Sequence, residues 1–366
     1  MINNDKITGA QLWILIAITV LGVGIFSLPR EVAEITGADG WITTSLGGAL
    51  AFLNFYFISR LVKRFPGDTL VEIVNKTLSK FLGIPLILIF WAYLLAVVAI
   101  TLRIFGEVVK MSLLSQTPIE VIILSMIIAS LILARGGIEP IVRFDEITFF
   151  IILLSLIVII LLAIPRSDFS NILPILRTEP VKLLYGAFKT TYAFGGYEIV
   201  LLIIPFLQKP DKILKSGVIA FTIIAVIYVL MVILSFAKFG PYDVKNLIWP
   251  TLSMIRSISV PGSFIERLEG VAMALWVLLA FTTIVPFVYG LALIPSRLLK
   301  QKEFKHFCTI IIPIVYLAAL IPDNVVEAYK YLGIIINYLG VISVFVLPIL
   351  LFIVSSIRRM GVQKNV

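Results

Sequence analysis

The chain has 366 residues, 60% of them hydrophobic, with a mean hydropathy of +1.09 and a formal net charge of +9. That composition excludes a soluble domain and indicates a polytopic helical membrane protein. The basic residues sit in short loops between apolar runs rather than on a nucleic-acid face, and one cysteine, Cys308, and one histidine, His306, exclude an intrachain disulfide and a His-rich metal site.

The head Met1–Lys6 is short and polar and leads to no small-residue cleavage site, so no cleavable signal peptide is expected. Ten apolar spans follow, at about 7–36, 41–60, 81–114, 118–135, 144–165, 183–207, 215–239, 266–294, 307–322 and 332–357. The first is too long for a straight crossing, since thirty residues of helix measure roughly 45 Å against a hydrocarbon core of about 30 Å. It is interrupted at Leu21-Gly22-Val23-Gly24-Ile25-Phe26-Ser27-Leu28-Pro29. Gly22 and Gly24 weaken helix, and Pro29 cannot donate to the carbonyl of Ile25. Lipid offers no partner to freed backbone groups, so such a break either lines a cavity or is a plain proline kink.

In the third span Arg103 and Glu107 are i,i+4 partners and read as a structural pair. The fifth holds no lysine after its two starting acids, Asp145 and Glu146. The sixth is interrupted by Thr190-Thr191-Tyr192-Ala193-Phe194-Gly195-Gly196-Tyr197-Glu198, with Pro205 farther along. Two glycine-interrupted spans at corresponding places in two halves point to the site of an inverted-repeat transporter. The longest break, about 240–265, carries Trp249-Pro250 and Val260-Pro261-Gly262 around the amphipathic run Thr251–Ser259. It is expected to be a short helix at the outer interface, a lid over an outer vestibule. Glu266, Arg267 and Glu269 open the eighth span at the interface. Thr282 and Thr283 in its middle are either an oxygen-rich Na⁺ site or hydroxyls bonded back to their own helix. Trp41, Trp91 and Trp276 are candidate interfacial anchors, Trp91 and Trp276 lying deeper.

An even number of spans puts both termini on one side. That side collects 18 of the 30 lysines and arginines and is therefore expected to be cytoplasmic. The expected fold is a single all-α membrane domain over 1–366, made of ten transmembrane helices. Two five-helix repeats of opposite orientation, 7–165 and 183–357, each open with a broken helix.

Helix polarity gives the breaks their chemistry. Half-helices ending near Leu21 and Tyr192 present carbonyls, and those beginning near Ile25 and Tyr197 present free N–H groups. A small zwitterion suits both. Its carboxylate would meet the N–H groups of Gly24, Ile25 and Phe26, and its ammonium the carbonyls of Thr19, Val20, Ala193 and Phe194. Glu198 is either a charge that holds a substrate amine, a proton or a cation, or a cap on the second half of its own helix. Tyr192, Phe194 and Tyr197 either shape the pocket with Gly195 and Gly196 or pack as aromatic core.

The 5+5 pattern with broken first and sixth spans resembles the amino acid–polyamine–cation transporter superfamily, which shares the leucine-transporter fold. Gly22-Val23-Gly24-Ile25-Phe26 is similar to its first-span glycine motif. The whole chain resembles one branch more closely, the permease-like B subunits of bacterial spore germinant receptors. The likeness lies in overall length, in Lys6-Ile7 leading to Gly22-x-Gly24-Ile25-Phe26-x-Leu28-Pro29, and in Arg103-x-Phe105-x-Glu107 before Leu113-Leu114-x-x-Thr117-Pro118. It extends to Phe194-Gly195-Gly196-Tyr197-Glu198 and the polar, basic tail. The resemblance implies a subunit of the spore inner membrane that binds a small germinant such as an amino acid at the breaks. It would trigger germination with an A subunit and a lipoprotein C subunit, without a cofactor. The alternative is a free-standing amino acid permease, proton- or sodium-coupled, although the lysine that serves coupling in some proton-coupled relatives is absent from the fifth span. A subunit with a purely structural role is a third reading. No Gly-x-Ser-x-Gly, phosphate loop or His-based motif is present, so an enzyme is not expected.

Overall fold

Thr8 starts the first helix. Its hydroxyl accepts from the Gln11 N–H while the Gln11 side chain accepts from the Thr8 N–H, a reciprocal cap. The computed structural model describes residues 6–22, 24–258, 269–301 and 303–361. Val23, the stretch with Val260-Pro261-Gly262, Glu266 and Arg267, and Lys302 and Lys364 lie outside them. Among the described residues every regular element is helical, and the one extended pairing is an isolated bridge between Ile7 and Leu207.

The first predicted span divides into α1 (Gly9–Val20) and α2 (Gly24–Thr36). Next come α3 (Gly40–Arg64), α4 (Leu70–Thr77), α5 (Lys80–Ser112), α6 (Ile119–Arg135) and α7 (Ile138–Ala163). The sixth predicted span is α8 (Pro180–Thr190), a tight turn over Thr191–Phe194, a second over Tyr197–Ile199, and α9 (Val200–Ile203). The chain continues with α10 (Ile213–Val244), α11 (Pro250–Arg256), α12 (Glu269–Leu298) and α13 (Lys305–Ala319). Then α14 (Val325–Ile335), a wider π-type winding over Ile336–Val346 and α15 (Leu347–Ile357) run on without interruption. The amphipathic α4 was not anticipated, although its cap is legible: Thr69 and Glu72 form the same reciprocal pair as Thr8 and Gln11.

By length and composition, six described helical stretches can cross a bilayer, or seven if the pair Pro180–Phe194 and Tyr197–Phe206, bent by 56°, is one span. The stretch Gly24–Arg64 is a hairpin rather than one crossing. Thr36 Oγ1 lies 2.8 Å from Thr43 Oγ1, whereas seven residues of straight helix would separate them by roughly 10 Å. Gly37, with φ of 56°, makes the corner. Asp39 ties it down by accepting from the N–H groups of Leu176, Arg177 and Thr178 at 2.6, 3.0 and 2.8 Å.

The protein is a multi-pass membrane protein, and its outer helices show it. On α7 the face Ile147, Phe150, Leu154, Leu161 is exposed and wholly apolar, while Phe149, Ile152, Leu156 and Ile159 are buried. That arrangement suits lipid on one side and protein on the other. α1 is different: Leu15, Ile16, Ala17 and Ile18 are all fully buried, so every side of it meets protein. The same holds for Tyr197–Ile204. The two broken helices are therefore the centre of the molecule, with α7, α10 and α12 packed on α1 and α3 packed on α8.

Candidate functional site

At the first break, the Leu21 N–H closes on Ala17 O and the helix stops. A side chain at Gly22 would meet Thr283 Oγ1 at 2.5 Å, so α12 leaves room only for glycine there. Gly24 faces open space: the nearest atoms to an added Cβ are Ala193 O at 3.8 Å and the Tyr228 hydroxyl at 4.0 Å. Pro29 leaves Ile25 O without its intrahelical donor, and the Thr251 hydroxyl of α11 supplies one at 2.9 Å. The outer lid expected at the interface is thus a buried plug, with Thr251, Leu252, Met254 and Ile255 essentially inaccessible. Its apolar residues are covered by protein because α11 packs on α2 and α12.

At the second break, Gly196 has φ of 118° and its missing Cβ would lie 3.0 Å from Thr19 O. Left-handed backbone and close approach both demand glycine, and the two breaks touch at this point. Glu198 is fully buried. One carboxylate oxygen accepts from Gly196 N at 2.8 Å and the other from the Tyr93 hydroxyl of α5 at 2.9 Å. Tyr228 of α10 joins the breaks from the other side, its hydroxyl shared between Val20 O at 2.7 Å and Ala193 O at 3.1 Å. Three of the four carbonyls expected to receive an ammonium therefore already have a donor, Thr19 O from the Thr283 hydroxyl at 3.3 Å and the other two from Tyr228. A carbonyl carries two lone pairs, so each keeps one acceptor position.

Between the breaks lies a cavity of about 140 Å³. Of the expected site residues, Gly22, Gly24, Tyr192, Ala193, Gly195, Gly196 and Glu198 line it. Ile25, Phe26, Phe194 and Tyr197 stand behind its wall. Phe26 packs on Trp276 with ring centroids 4.6 Å apart, Phe194 on Tyr228 at 5.1 Å, and the Tyr197 hydroxyl accepts from Asn54 at 2.8 Å. Thr283 also lines the cavity and donates to Leu279 O and, at 3.3 Å, to Thr19 O. Thr282 bonds back to Leu278 O and Leu279 O and does not reach it. The Thr19 hydroxyl, in the cavity wall, is buried and has no partner. A vestibule of about 310 Å³ adjoins the cavity across Ser27, Tyr192 and Tyr329. Glu31 accepts from the Tyr192 hydroxyl, and Trp249 donates to that of Tyr329 at 2.9 Å.

Arg103 and Glu107 form the expected pair at 2.7 Å, and Arg103 also holds Asp323 O at 2.6 Å, outside the cavity. Trp276 is fully buried, so it does not anchor at the interface, and Trp91 is half-buried with its N–H donating to Leu291 O at 2.9 Å. Sequence reasoning passed over Tyr228 at the breaks, Glu31 in the adjoining vestibule, and Tyr93, Ile336, Asn337 and Gly340, which complete the cavity wall. Glu31 carried a usable signal, a carboxylate within an apolar span. The π-type winding did not: Asn54 donates to Val344 O at 2.8 Å there, a pairing across nearly 300 residues that no local pattern announces.

A profile of the family described as spore germination protein matches residues 6–328. The chain belongs to this family. It is 30% identical over 359 residues to spore germination protein YndE of Bacillus subtilis (strain 168), covering 98% of each. Spore germination protein A2 of the same organism is 29% identical over 349 residues, 94% of each. Spore germination protein GerQB of Bacillus cereus is 29% identical over 273 residues, 74% of each. Among solved structures, a Na⁺-coupled sialic acid symporter in its substrate-bound outward-open state matches with a TM-score of 0.67 at 14% identity, covering 94% of this chain and 79% of that one. At that identity the likeness is one of fold. The spore germination family and the transporter fold are not those of an enzyme.

Proposed function

We propose that this family member is the membrane subunit of a spore germinant receptor, and that a small zwitterion, an amino acid or a molecule of similar size, binds between the two breaks. The observation that carries the reading is the cavity itself. It is bounded by the backbone of both interrupted helices and holds a buried hydroxyl, that of Thr19, with no partner. Its volume of about 140 Å³ is well below the roughly 300–1,000 Å³ of drug-sized pockets, which limits the ligand to a few heavy atoms. Gly22, Gly24, Tyr192, Ala193, Gly195, Gly196 and Glu198 form the site, with the ligand's carboxylate at the start of α2, where helix polarity favours an anion.

In the same proposal α1 with α2 and α8 with α9 are the broken first and sixth of ten spans. The chain then reads as two inverted five-helix repeats, 7–165 and 183–357. Both termini are cytoplasmic, the membrane is the inner membrane of the spore, and the signal passes to an A subunit and a lipoprotein C subunit. The symporter-like fold and the family support this arrangement. The fold of a Na⁺-coupled symporter, with Thr283 beside Thr19 O, supports a second reading, a sodium-coupled amino acid permease. Uptake of labelled amino acids by vesicles holding this chain alone would favour it.

The test is a germination concentration–response series with protein level followed by immunoblot. Gly24→Leu fills the cavity and is expected to abolish the response at normal protein level. The packing control is Gly83→Leu, whose side chain meets Val74 at 2.9 Å away from the cavity. Gly47 would not serve, because a side chain there would meet Thr190 Oγ1 of α8 at 2.5 Å. Equal effects of Gly24→Leu and Gly83→Leu would remove the site. A full response in a strain lacking the A and C subunits would remove the receptor reading and leave the site.

A further inference from the structure

One face of α3 changes character along its length. Leu46, Leu50 and Leu53 occupy it toward one end, Tyr56 follows, and Arg60, Lys63 and Arg64 close the other. Steps of three or four residues keep them on one stripe of the helix. Two cavities lie along that stripe and meet at Tyr56. The first, about 530 Å³, is walled by the apolar residues of α3 and by Leu184 of α8. The second, about 570 Å³, is walled by Tyr56, the three basic residues, the Pro210–Asp211 turn and Phe352 of α15.

The dimensions are those of one lipid leaflet. From residue 46 to residue 56 the helix rises roughly 15 Å, half of a hydrocarbon core of about 30 Å. The basic end begins where that half ends. Its guanidinium groups are held in place: Arg60 lies 5.0 Å from the centre of the Tyr56 ring and donates to its hydroxyl at 3.0 Å, and Arg64 lies 5.1 Å from the Phe352 ring. Among the described residues no carboxylate is within ion-pair distance of Arg60, Lys63 or Arg64, whereas Lys76 and Arg297 each have one. Among the described residues of the wall, Asp211 is the one acid beside three bases, and it has a partner of its own.

We propose that this face binds an acidic phospholipid of the leaflet on that side. The phosphodiester lies against Arg60, Lys63 and Arg64, whose planar forks and ammonium suit phosphate oxygens. One acyl chain lies along Leu46, Leu50 and Leu53. The continuity of the basic and apolar cavities selects a lipid over a free phosphate, which would use the basic end alone. The chain also touches Leu184, so the lipid bears on α8, the first half of the broken sixth span.

The experiment is native mass spectrometry of the purified full-length protein, titrated in detergent with phosphatidylglycerol or with phosphatidylcholine. Each basic residue near an anionic headgroup contributes roughly fivefold, so phosphatidylglycerol should be retained on the order of a hundredfold better. Arg60→Gln with Lys63→Gln should remove most of that preference and leave phosphatidylcholine retention unchanged. Leu53→Trp, at an exposed position, should weaken retention of phosphatidylglycerol by filling the acyl groove. Inorganic phosphate at millimolar concentration should not displace the lipid. Equal retention of the two lipids by the parent protein would overturn the proposal, and so would phosphatidylglycerol retention indifferent to Leu53→Trp. Displacement by inorganic phosphate at the lipid's own concentration would leave a soluble-anion site instead. If the double variant does not fold, the parent comparison and Leu53→Trp decide.

Discussion

Tyr228 engages two carbonyls at the breaks that a ligand was expected to engage, and Glu198 is held by donors of the protein itself. Each Glu198 oxygen already holds a protein donor, one from the unwound backbone and one from Tyr93. Glutamine can keep the Gly196 bond through its oxygen and turn its amide toward the Tyr93 hydroxyl, which can also accept. Glu198→Gln is therefore expected to leave the half-maximal germinant concentration within about twofold of the parent, about 0.4 kcal/mol. A tenfold or larger rise at equal protein level would instead assign the charge to the ligand's ammonium or to an ion. Tyr228→Phe removes one hydroxyl from two buried carbonyls while keeping the ring against Phe194. A buried acceptor left without a donor costs about 1–3 kcal/mol. The variant should melt earlier and respond less sensitively, and added germinant should recover part of the melting temperature if the ligand's ammonium takes the freed carbonyls.

The link between α11 and α2 follows from one proline. Pro29 withholds a hydrogen bond from Ile25 O, and Thr251 makes it from outside the helix. Any shift of α2 is then felt by α11, and through Trp249 by Tyr329 on α14. Thr251→Val should lower the melting temperature by leaving Ile25 O unsatisfied, a loss of about 1–3 kcal/mol. In a Pro29→Ala background the alanine N–H can serve Ile25 O, so the same substitution should cost much less. Additive losses in this double-mutant cycle would mean that the hydroxyl and the proline act independently. The Asp39 corner is a second such joint. A carboxylate accepting three backbone N–H groups fixes the loop at 176–178 to the turn between α2 and α3. Asp39→Asn should release that loop to protease before it affects global unfolding.

For the whole molecule the open quantity is orientation in the bilayer. By the positive-inside rule, the bias of 18 basic residues against 12 predicts that the connection after α3 is inside and the connection before α11 outside. Lys76 and Asn246 are both exposed in these connections. A cysteine at Lys76 should resist an impermeant thiol reagent in intact cells, and one at Asn246 should react. The reverse pattern would invert the protein and with it the side from which the cavity is reached.

Apolar run length and the positions of Gly22, Gly24, Gly195, Gly196 and Pro29 were enough to fix an all-helical membrane chain with two interrupted helices. The reason is local: glycine and proline weaken the helix that contains them, whatever surrounds it, and lipid forbids unpaired backbone. Seven of the eleven expected site residues line the cavity for the same reason, because unwound backbone faces the space that the break opens. Which side chains complete that space was a matter of tertiary structure. Tyr93 and Asn337 reach it from helices that carry no break, Tyr228 ties the two breaks together behind it, and Phe26, Phe194 and Tyr197 turn away into ring contacts with Trp276, Tyr228 and Phe55. A side chain's direction depends on the helix opposite it, and the pairing of helices distant in sequence is decided by packing that local pattern does not contain.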